Sequence, residues 1–374
     1  MNDLLYLNQV VVISATLLFI CRASKYLQLQ ILCWSLLTCV IALRYGVSGQ
    51  RIFYSNDQRY HAELVEEILA NGLPIDIDWW LQTARIPYVL PATAIALAGI
   101  EPLLALKFVS LLALLGLTSR IQSTLALESV SRFLVLAFFT STASIGVFFS
   151  ALGLRETTMM LFVFLFFFGV NPASRYGALL CLLLLRPHLA AAVLLGTLFV
   201  ATIQRFRSTS SSTPMRNFAW MVGGPLIGHY MYSVGLQYQT GLRGIFGHNW
   251  GIQPVSRVAS NFVGLQFLTA NNLSLEFSLS SLLLLRIIFS ETVLIPLCFT
   301  VAVLLSRQQT RLIQSVMLSF GMYVGIATNT DLNSFRQNIP FMPVMGLIVI
   351  LIWRRRNQTA VKPEVISATV PHGT

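Results

Sequence analysis

Charged side chains are scarce in this sequence. They make up 10% of its 374 residues, whereas hydrophobic residues make up 55%, and the mean hydropathy is +0.71. The apolar residues recur in long runs, as is typical of helices that cross a membrane. We therefore expect an all-α fold: a polytopic integral membrane protein with about 10 to 12 transmembrane or partial helices.

Lysine is nearly absent, because 22 of the 25 basic residues are arginines and only Lys25, Lys107 and Lys362 are lysines. Arginine suits phosphate binding, although genome composition explains the bias equally well. The formal net charge of +11 would suggest a nucleic-acid partner in a soluble protein. Here most basic residues lie in short loops between apolar runs, so the charge indicates topology, and membrane lipids are the expected surroundings.

The five cysteines lie in or beside apolar runs, and their spacing fits neither a metal site nor a disulfide framework. We expect no metal and no cofactor. The sequence also lacks a convincing internal repeat. We therefore predict one transmembrane domain over residues 1–353 and a cytoplasmic tail over 354–374.

The positions of the basic residues predict the topology. Arg22 and Lys25 follow the first apolar run, and Arg354 to Arg356 follow the last. Because basic loops face the cytoplasm, the amino terminus is expected outside the inner (plasma) membrane, with outer loops at 44–86 and 237–278. The first run has no basic segment before it and no small-residue cleavage site, so we expect it to be a retained helix.

The densest polar segment, residues 55–72, predicts an amphipathic helix in the first outer loop. Tyr60, Leu64, Val65, Ile68 and Leu69 fall on one face, while Arg59, Glu63, Glu66 and Glu67 fall on another. Such a helix suits a membrane–water interface. An equally good interpretation is a helix that only seals the loop.

Proline predicts two interruptions in later apolar runs. Residues 87–99 are too few for a full crossing and contain Pro91, which indicates a re-entrant or partial helix. The run 177–202 contains Arg186-Pro187-His188. Pro187 lacks an N–H donor and Arg186 is costly in lipid, so we expect two half-helices of about 10 and 15 residues that meet there.

Four polar clusters are expected at the outer side of the membrane. They are Asp57–Glu67, Arg155-Glu156, Arg186 with His188, and Asp331 with Arg336, and Arg286 and Glu291 are candidate lining residues. Charged residues in apolar runs are costly and commonly functional.

Each cluster also has a structural explanation. Arg155-Glu156 could only cap a helix, and Arg186 could pair with Glu291, because buried ions require a partner. His61, alone at an interface, is more often solvated than catalytic. Asp331 and Arg336 could form an ordinary ion pair in a loop.

Several arginines beside one or two carboxylates fit the binding of a lipid-linked phosphosugar. The planar guanidinium holds phosphate oxygens in a bidentate manner and stays charged when desolvated. A nearby carboxylate or histidine can accept the proton of an attacking sugar hydroxyl as the phosphate group leaves.

Short motifs resemble those of known membrane enzymes. Ile41-Ala-Leu-Arg44-Tyr45-Gly46 followed by Asp57-Gln-Arg-Tyr60 is similar to an early segment of EpsG-like and Wzy-type polysaccharide polymerases. Gly153-Leu-Arg155-Glu156 and Leu185-Arg186-Pro187-His188-Leu189-Ala190 resemble motifs of these polymerases and of GT-C membrane glycosyltransferases. Asn333-Ser-Phe-Arg336 is similar to their terminal arginine segment.

The resemblance implies a GT-C-like glycosyltransferase that polymerises undecaprenyl-diphosphate-linked oligosaccharides for O-antigen or exopolysaccharide synthesis. On this interpretation Arg155, Arg186 and Arg336 bind the diphosphate. Asp57 or His188 is the base, and Glu156 orients an arginine. The other candidate substrate-binding residues are Arg59, Tyr60 and Arg286. A chain-length regulator or a flippase is the candidate protein partner.

Two other functions fit the same residues. One is a GT-C transferase that uses a polyprenyl-monophosphate sugar, and the other is a flippase or another transporter of lipid-linked oligosaccharides. A flippase is expected to carry polar groups through both leaflets and to contain a two-fold repeat, whereas the sequence shows polar groups mainly on one side.

Overall fold

The structure of the protein is a computed structural model, and it describes most of the apolar segments. The described residues are 3–45, 56–73, 86–127, 145–206, 220, 222–232, 294–305, 310–328 and 338–360. All regular structure within these ranges is helical, and none of it is a strand, which confirms the all-α class.

The helices are numbered in chain order. They are α1 (Asp3–Ile20), α2 (Lys25–Tyr45), α3 (Asn56–Asn71), α4 (Ile86–Leu97), α5 (Pro102–Leu127), α6 (145–152), α7 (Glu156–Phe168), α8 (Pro172–Leu185), α9 (Pro187–Phe206), α10 (222–232), α11 (Leu294–Leu305), α12 (Arg311–Thr328) and α13 (Met342–Ala360), and a 3₁₀ turn (Ile339–Phe341) leads into α13.

Within the described ranges, three helices are long and apolar enough to cross a membrane, judged by length and composition. They are α2, α5 and α9, through the segments Lys25–Leu43, Pro102–Ala126 and Pro187–Arg205. Shorter apolar helices include α1, α4, α7, α8, α11 and α12. The predicted partial helix at 87–99 is α4, which has 12 residues and contains Pro91.

Helix α3 is the predicted amphipathic helix, and its apolar face is covered by protein. Leu64, Val65 and Ile68 are buried where α3 packs on α4 and α5. Tyr60, on the predicted apolar face, is 38% exposed. The interpretation of His61 as solvated was wrong, because His61 is only 1% exposed and its ring packs edge-on against Tyr88.

The predicted break between α8 and α9 is confirmed at Arg186. The Arg186 N–H donates the last hydrogen bond of α8, to Leu182, and its carbonyl accepts the first bonds of α9, from Leu189 and Ala190. Its φ of −160° and ψ of 88° take the chain out of the helix. The predicted lengths were too short, because α8 has 14 residues and α9 has 20.

Helices α7 and α8 form a hairpin around the turn 169–171. The Asn171 side chain caps α8 by accepting a hydrogen bond from the Ser174 N–H at 2.8 Å. The two helices have 13 and 14 residues and pack on each other. Because the arms are almost equal in length, Arg155 at the start of α7 and Arg186 at the end of α8 lie at the same end of the hairpin.

Glycines allow α12 to approach α9 and α10 closely. A Cβ atom at Gly196 in α9 would lie 2.7 Å from the backbone N of Ser319, and one at Gly321 would lie 3.0 Å from Gly224 Cα in α10. Gly224 and Gly228 in α10, and Gly321 and Gly325 in α12, both have the Gly-x-x-x-Gly spacing of close helix crossings.

Candidate functional site

The segment between α6 and α7 is a tight turn that requires glycine. Gly153 has φ 72°, in the left-handed region that side chains disfavour. The Gly153 and Leu154 N–H groups bond to the carbonyls of Ser150 and Phe149, which closes the end of α6. The next residues are Arg155 and Glu156, so this turn sets where both charged side chains begin.

Three consecutive carbonyl groups in this turn accept hydrogen bonds from three different helices. Gln58 Nε2 in α3 donates to the Leu152 carbonyl, and the Tyr88 hydroxyl in α4 donates to that of Gly153. The Ser110 hydroxyl in α5 donates to the Leu154 carbonyl at 2.9 Å. We refer to these three bonds as the carbonyl clamp. The clamp satisfies backbone groups that a helix end leaves unpaired, and it fixes the turn to the rest of the bundle.

Lys107 contacts the turn that the carbonyl clamp holds. A Cβ atom at Gly153 would lie 2.9 Å from Lys107 Cγ, so the two residues are in close contact. Lys107 Nζ donates a hydrogen bond to the Tyr6 hydroxyl at 3.0 Å and lies 5.5 Å from the centre of the Tyr6 ring. Lys107 was not predicted to belong to the site, although a lysine within an apolar run is the signal that could have found it.

Arg155 and Glu156 are both buried at the start of α7. Arg155 occupies the N-cap position, but its side chain makes no capping hydrogen bond, so the capping explanation does not account for the arginine. Glu156 lies in the first turn, where a carboxylate is favoured by the helix dipole. The pair therefore stands, as predicted, where an apolar helix begins.

Arg186 and His188 form a second cluster with Tyr323 of α12. Arg186 Nε donates a hydrogen bond to His188 Nε2 at 2.9 Å. The imidazole stacks on the Tyr323 ring, with 5.8 Å between the ring centres and 6° between the ring planes. The central carbon of the Arg186 guanidinium lies 5.8 Å from the centre of the same Tyr323 ring. Tyr323, which the sequence analysis missed, therefore holds both predicted residues in place.

Arg186 is only 4% exposed. Across the part of the chain that the structure describes, the one ion pair is Arg59 with Glu63, so no described carboxylate pairs with Arg186. Glu291, its predicted structural partner, lies outside the described residues.

The Arg186 bond also assigns the protonation of His188. Because Arg186 Nε–H is the donor, His188 Nε2 must be the acceptor, and the ring proton is then on Nδ1. A His188 that removes a proton from substrate through Nε2 would first have to give up this bond.

Helix α3 brings a third cluster towards Arg155. Asp57 lies in its first turn, beside Gln58 of the carbonyl clamp, although the Asp57 side chain is outside the described atoms. Arg59 and Glu63 form an exposed ion pair with a 2.5 Å Nε–Oε1 distance. Tyr60 is partly exposed beside them.

The remaining predicted residues, Arg286, Asp331 and Arg336, lie outside the described residues. In the described ranges no three His, Cys, Asp or Glu side chains come together as a metal centre would require.

The described site thus consists of a clamped turn that carries Arg155 and Glu156, and a helix break that carries Arg186 and His188. Comparisons with protein-family models, with curated proteins and with solved structures found no match to this chain.

Proposed function

We propose that this protein is a membrane glycosyltransferase that polymerises or transfers diphosphate-linked oligosaccharides at the outer face of the inner membrane. The observation that carries the proposal is Arg186, a buried guanidinium at a helix break with no carboxylate partner among the described residues. The placement of Arg155 at the same end of the α7–α8 hairpin supports it.

A buried cation without a counter-ion is costly, because the charge loses its hydration and gains no ion pair. Such a residue is explained by an anionic ligand that completes the pair. With Nε bound to His188, the Nη groups of Arg186 remain to hold two oxygens of one phosphate. Arg155 and Arg336 are proposed to hold the same diphosphate.

The proposed reaction exchanges one bond at the anomeric carbon of the donor sugar. A hydroxyl oxygen of the acceptor sugar bonds to that carbon, the bond from the carbon to the diphosphate oxygen breaks, and Asp57 accepts the hydroxyl proton. The arginines stabilise the charge that develops on the leaving diphosphate. Glu156 is proposed to orient Arg155, its neighbour at the start of α7.

Exposed apolar side chains support a membrane setting. Leu4 and Phe19 on α1, and Leu36 and Leu43 on α2, are among the most exposed large hydrophobic residues described. In water these exposed apolar side chains would promote aggregation, whereas in a bilayer they contact lipid. With the candidate spans in α2, α5 and α9, these side chains support a polytopic arrangement.

The test is the lipid-linked glycan profile of a deletion strain complemented with variants. Arg186→Ala should leave repeat units on their lipid carrier and give little polymer, with protein abundance unchanged. Arg186→Lys keeps the charge but loses the bidentate fork, and should also fail. Arg205→Ala, at the exposed end of α9, is the control. Normal polymer from Arg186→Ala at normal abundance would contradict the proposal.

A transporter of lipid-linked oligosaccharides is the second candidate, because the α9–α12 interface contains a polar seam. Moving along α9, the contacts are His188 with Tyr323, Val193 with Ser319, and Gln204 with Gln314, so the helices are antiparallel. The distance along the helix from His188 to Gln204 is about 24 Å, close to the thickness of a bilayer core. Polar groups therefore extend beyond the one side that the sequence indicated.

The two functions differ in where the lipid-linked unit accumulates in the deletion strain. Loss of a polymerase leaves it in the outer leaflet, whereas loss of a transporter leaves it in the inner leaflet. Accessibility of the glycan to an added impermeant glycosidase in spheroplasts distinguishes the two outcomes.

A further inference from the structure

We propose that the first turn of α7 is a second phosphate subsite, in which Thr157 and Thr158 are ligands. Both side chains are buried, and neither hydroxyl has a hydrogen-bond partner within the described ranges. The inference rests on the proposed function and adds to it two binding residues outside the arginine motifs.

The unpaired hydroxyls need an explanation, because a buried polar group without a partner costs free energy. Threonine in a helix commonly bonds to the carbonyl four residues earlier. For Thr157 and Thr158 those carbonyls belong to Gly153 and Leu154, which already accept bonds from Tyr88 and Ser110 in the carbonyl clamp. Neither threonine hydroxyl bonds to these carbonyls.

The donor groups in the first turn of α7 favour a ligand that has several hydrogen-bond acceptors. First-turn N–H groups of an α-helix have no carbonyl partner within the helix, and the dipole favours negative charge at this end. Helical Cα–Cβ bonds tilt towards the amino terminus, so both threonine side chains start out on the side of these N–H groups. Such a donor set fits a phosphate, as other helix amino termini do.

Charge balance permits a phosphate here. Arg155 and Glu156 flank the turn with opposite charges, so together they add no net charge. Arg186 lies at the same end of the α7–α8 hairpin, at the end of the partner helix. The two phosphates of one diphosphate would then be shared between the start of α7 and the helix break.

The test measures binding of geranylgeranyl diphosphate to the full-length protein in nanodiscs, with geranylgeraniol as the tail without phosphates. The variants are Thr157→Val and Thr158→Val, which keep the shape and remove the hydroxyl. Each should raise the Kd for the diphosphate about tenfold, the loss typical of one hydrogen bond to a charged group. Binding of geranylgeraniol should not change.

The Tm without ligand separates a binding role from a structural one. Removing an unpaired buried hydroxyl should leave the Tm equal or raise it. Thr118→Val is the matched control, because the Thr118 hydroxyl donates to Gln30 Oε1 at 2.9 Å. That variant should lower the Tm and leave the Kd unchanged.

The outcomes distinguish the subsite from the function. If Arg186→Ala weakens diphosphate binding and both valine variants bind like the wild type, the subsite is wrong and the proposed function stands. The subsite is also wrong if the valine variants lose affinity only together with a lower Tm. If the wild type binds the diphosphate no better than geranylgeraniol, both proposals fail.

Discussion

The hydroxyl of Tyr88 donates a hydrogen bond to the carbonyl of Gly153, 65 residues further along the chain. This bond connects α4 to the turn that carries Arg155 and Glu156. Tyr88 also packs against His61 of α3, and its hydroxyl oxygen lies 3.3 Å from Ser110 Oγ of α5. One buried side chain therefore joins three helices to the start of α7.

Replacing Tyr88 by Phe should destabilise the protein. The substitution keeps the ring and leaves the Gly153 carbonyl buried without its donor, at a cost of about 1–3 kcal/mol. We expect a lower Tm in detergent and reduced polymer. Tyr176→Phe is the control, because Tyr176 on α8 is 71% exposed. Equal Tm values for the two variants would show that the Tyr88 bond contributes nothing.

The clamp also shows what the sequence could and could not predict. The break at Arg186-Pro187 was predictable, because the missing proline N–H and the cost of a charge in lipid act at the residue itself. The pairing of Tyr88 with Gly153 depends on how distant helices pack, and no local pattern contains it. His61 was wrongly predicted for the same reason, since its burial depends on the Tyr88 ring.

Local signals were present for two features that the sequence analysis did not use. The Gly-x-x-x-Gly spacings at Gly224 and Gly321 mark the α10–α12 crossing. Lys107 is a charge in an apolar run, as Arg186 is. Periodicity indicated the helices well, whereas the side-chain partners of the site required the three-dimensional arrangement.

Gly325→Ala should destabilise the protein, because a Cβ atom there would collide with Pro225 O and would lie 2.7 Å from His229 N. Overpacking of this kind typically costs about 1–3 kcal/mol. Gly177→Ala, in α8, is the same substitution with nothing within 4 Å of the new atom. It should stabilise by about 0.5–1 kcal/mol, because alanine favours the helix. Tm shifts of opposite sign are expected, and two shifts of the same sign would refute close packing at Gly325.

Glu101→Gln should change how stability depends on pH. Burial raises the pKa of the Glu101 carboxyl above its ordinary value of 4.5, against the opposing effect of the Leu104 N–H bond. A raised pKa in the folded state means that folding favours the protonated form. This contribution is fully present below the unfolded pKa and is lost as the pH rises through the folded pKa.

The expected result is a Tm that falls less steeply with rising pH in Glu101→Gln than in the wild type. Glutamine keeps an oxygen that can accept from the Leu104 N–H. Well below pH 4.5 the wild-type carboxyl is protonated in both the folded and the unfolded state, so the two proteins should have similar Tm values there. Parallel Tm curves over the whole range would contradict the assignment.

Asp57→Asn tests the proposed base with almost no change in volume. Asp57 lies in the first turn of α3, which Gln58 connects to the turn before Arg155. Loss of a general base costs on the order of 10²–10⁴ in rate, so lipid-linked repeat units should accumulate and polymer should shorten. Glu63→Gln on the same helix is the control, because it removes only an exposed ion pair with Arg59 and should be nearly silent. The measurement is polymer length in a complemented deletion strain at equal protein abundance.

If Asp57→Asn makes polymer of normal length, the proton must leave by another route. His188 would then have to release its bond from Arg186 to act as the base.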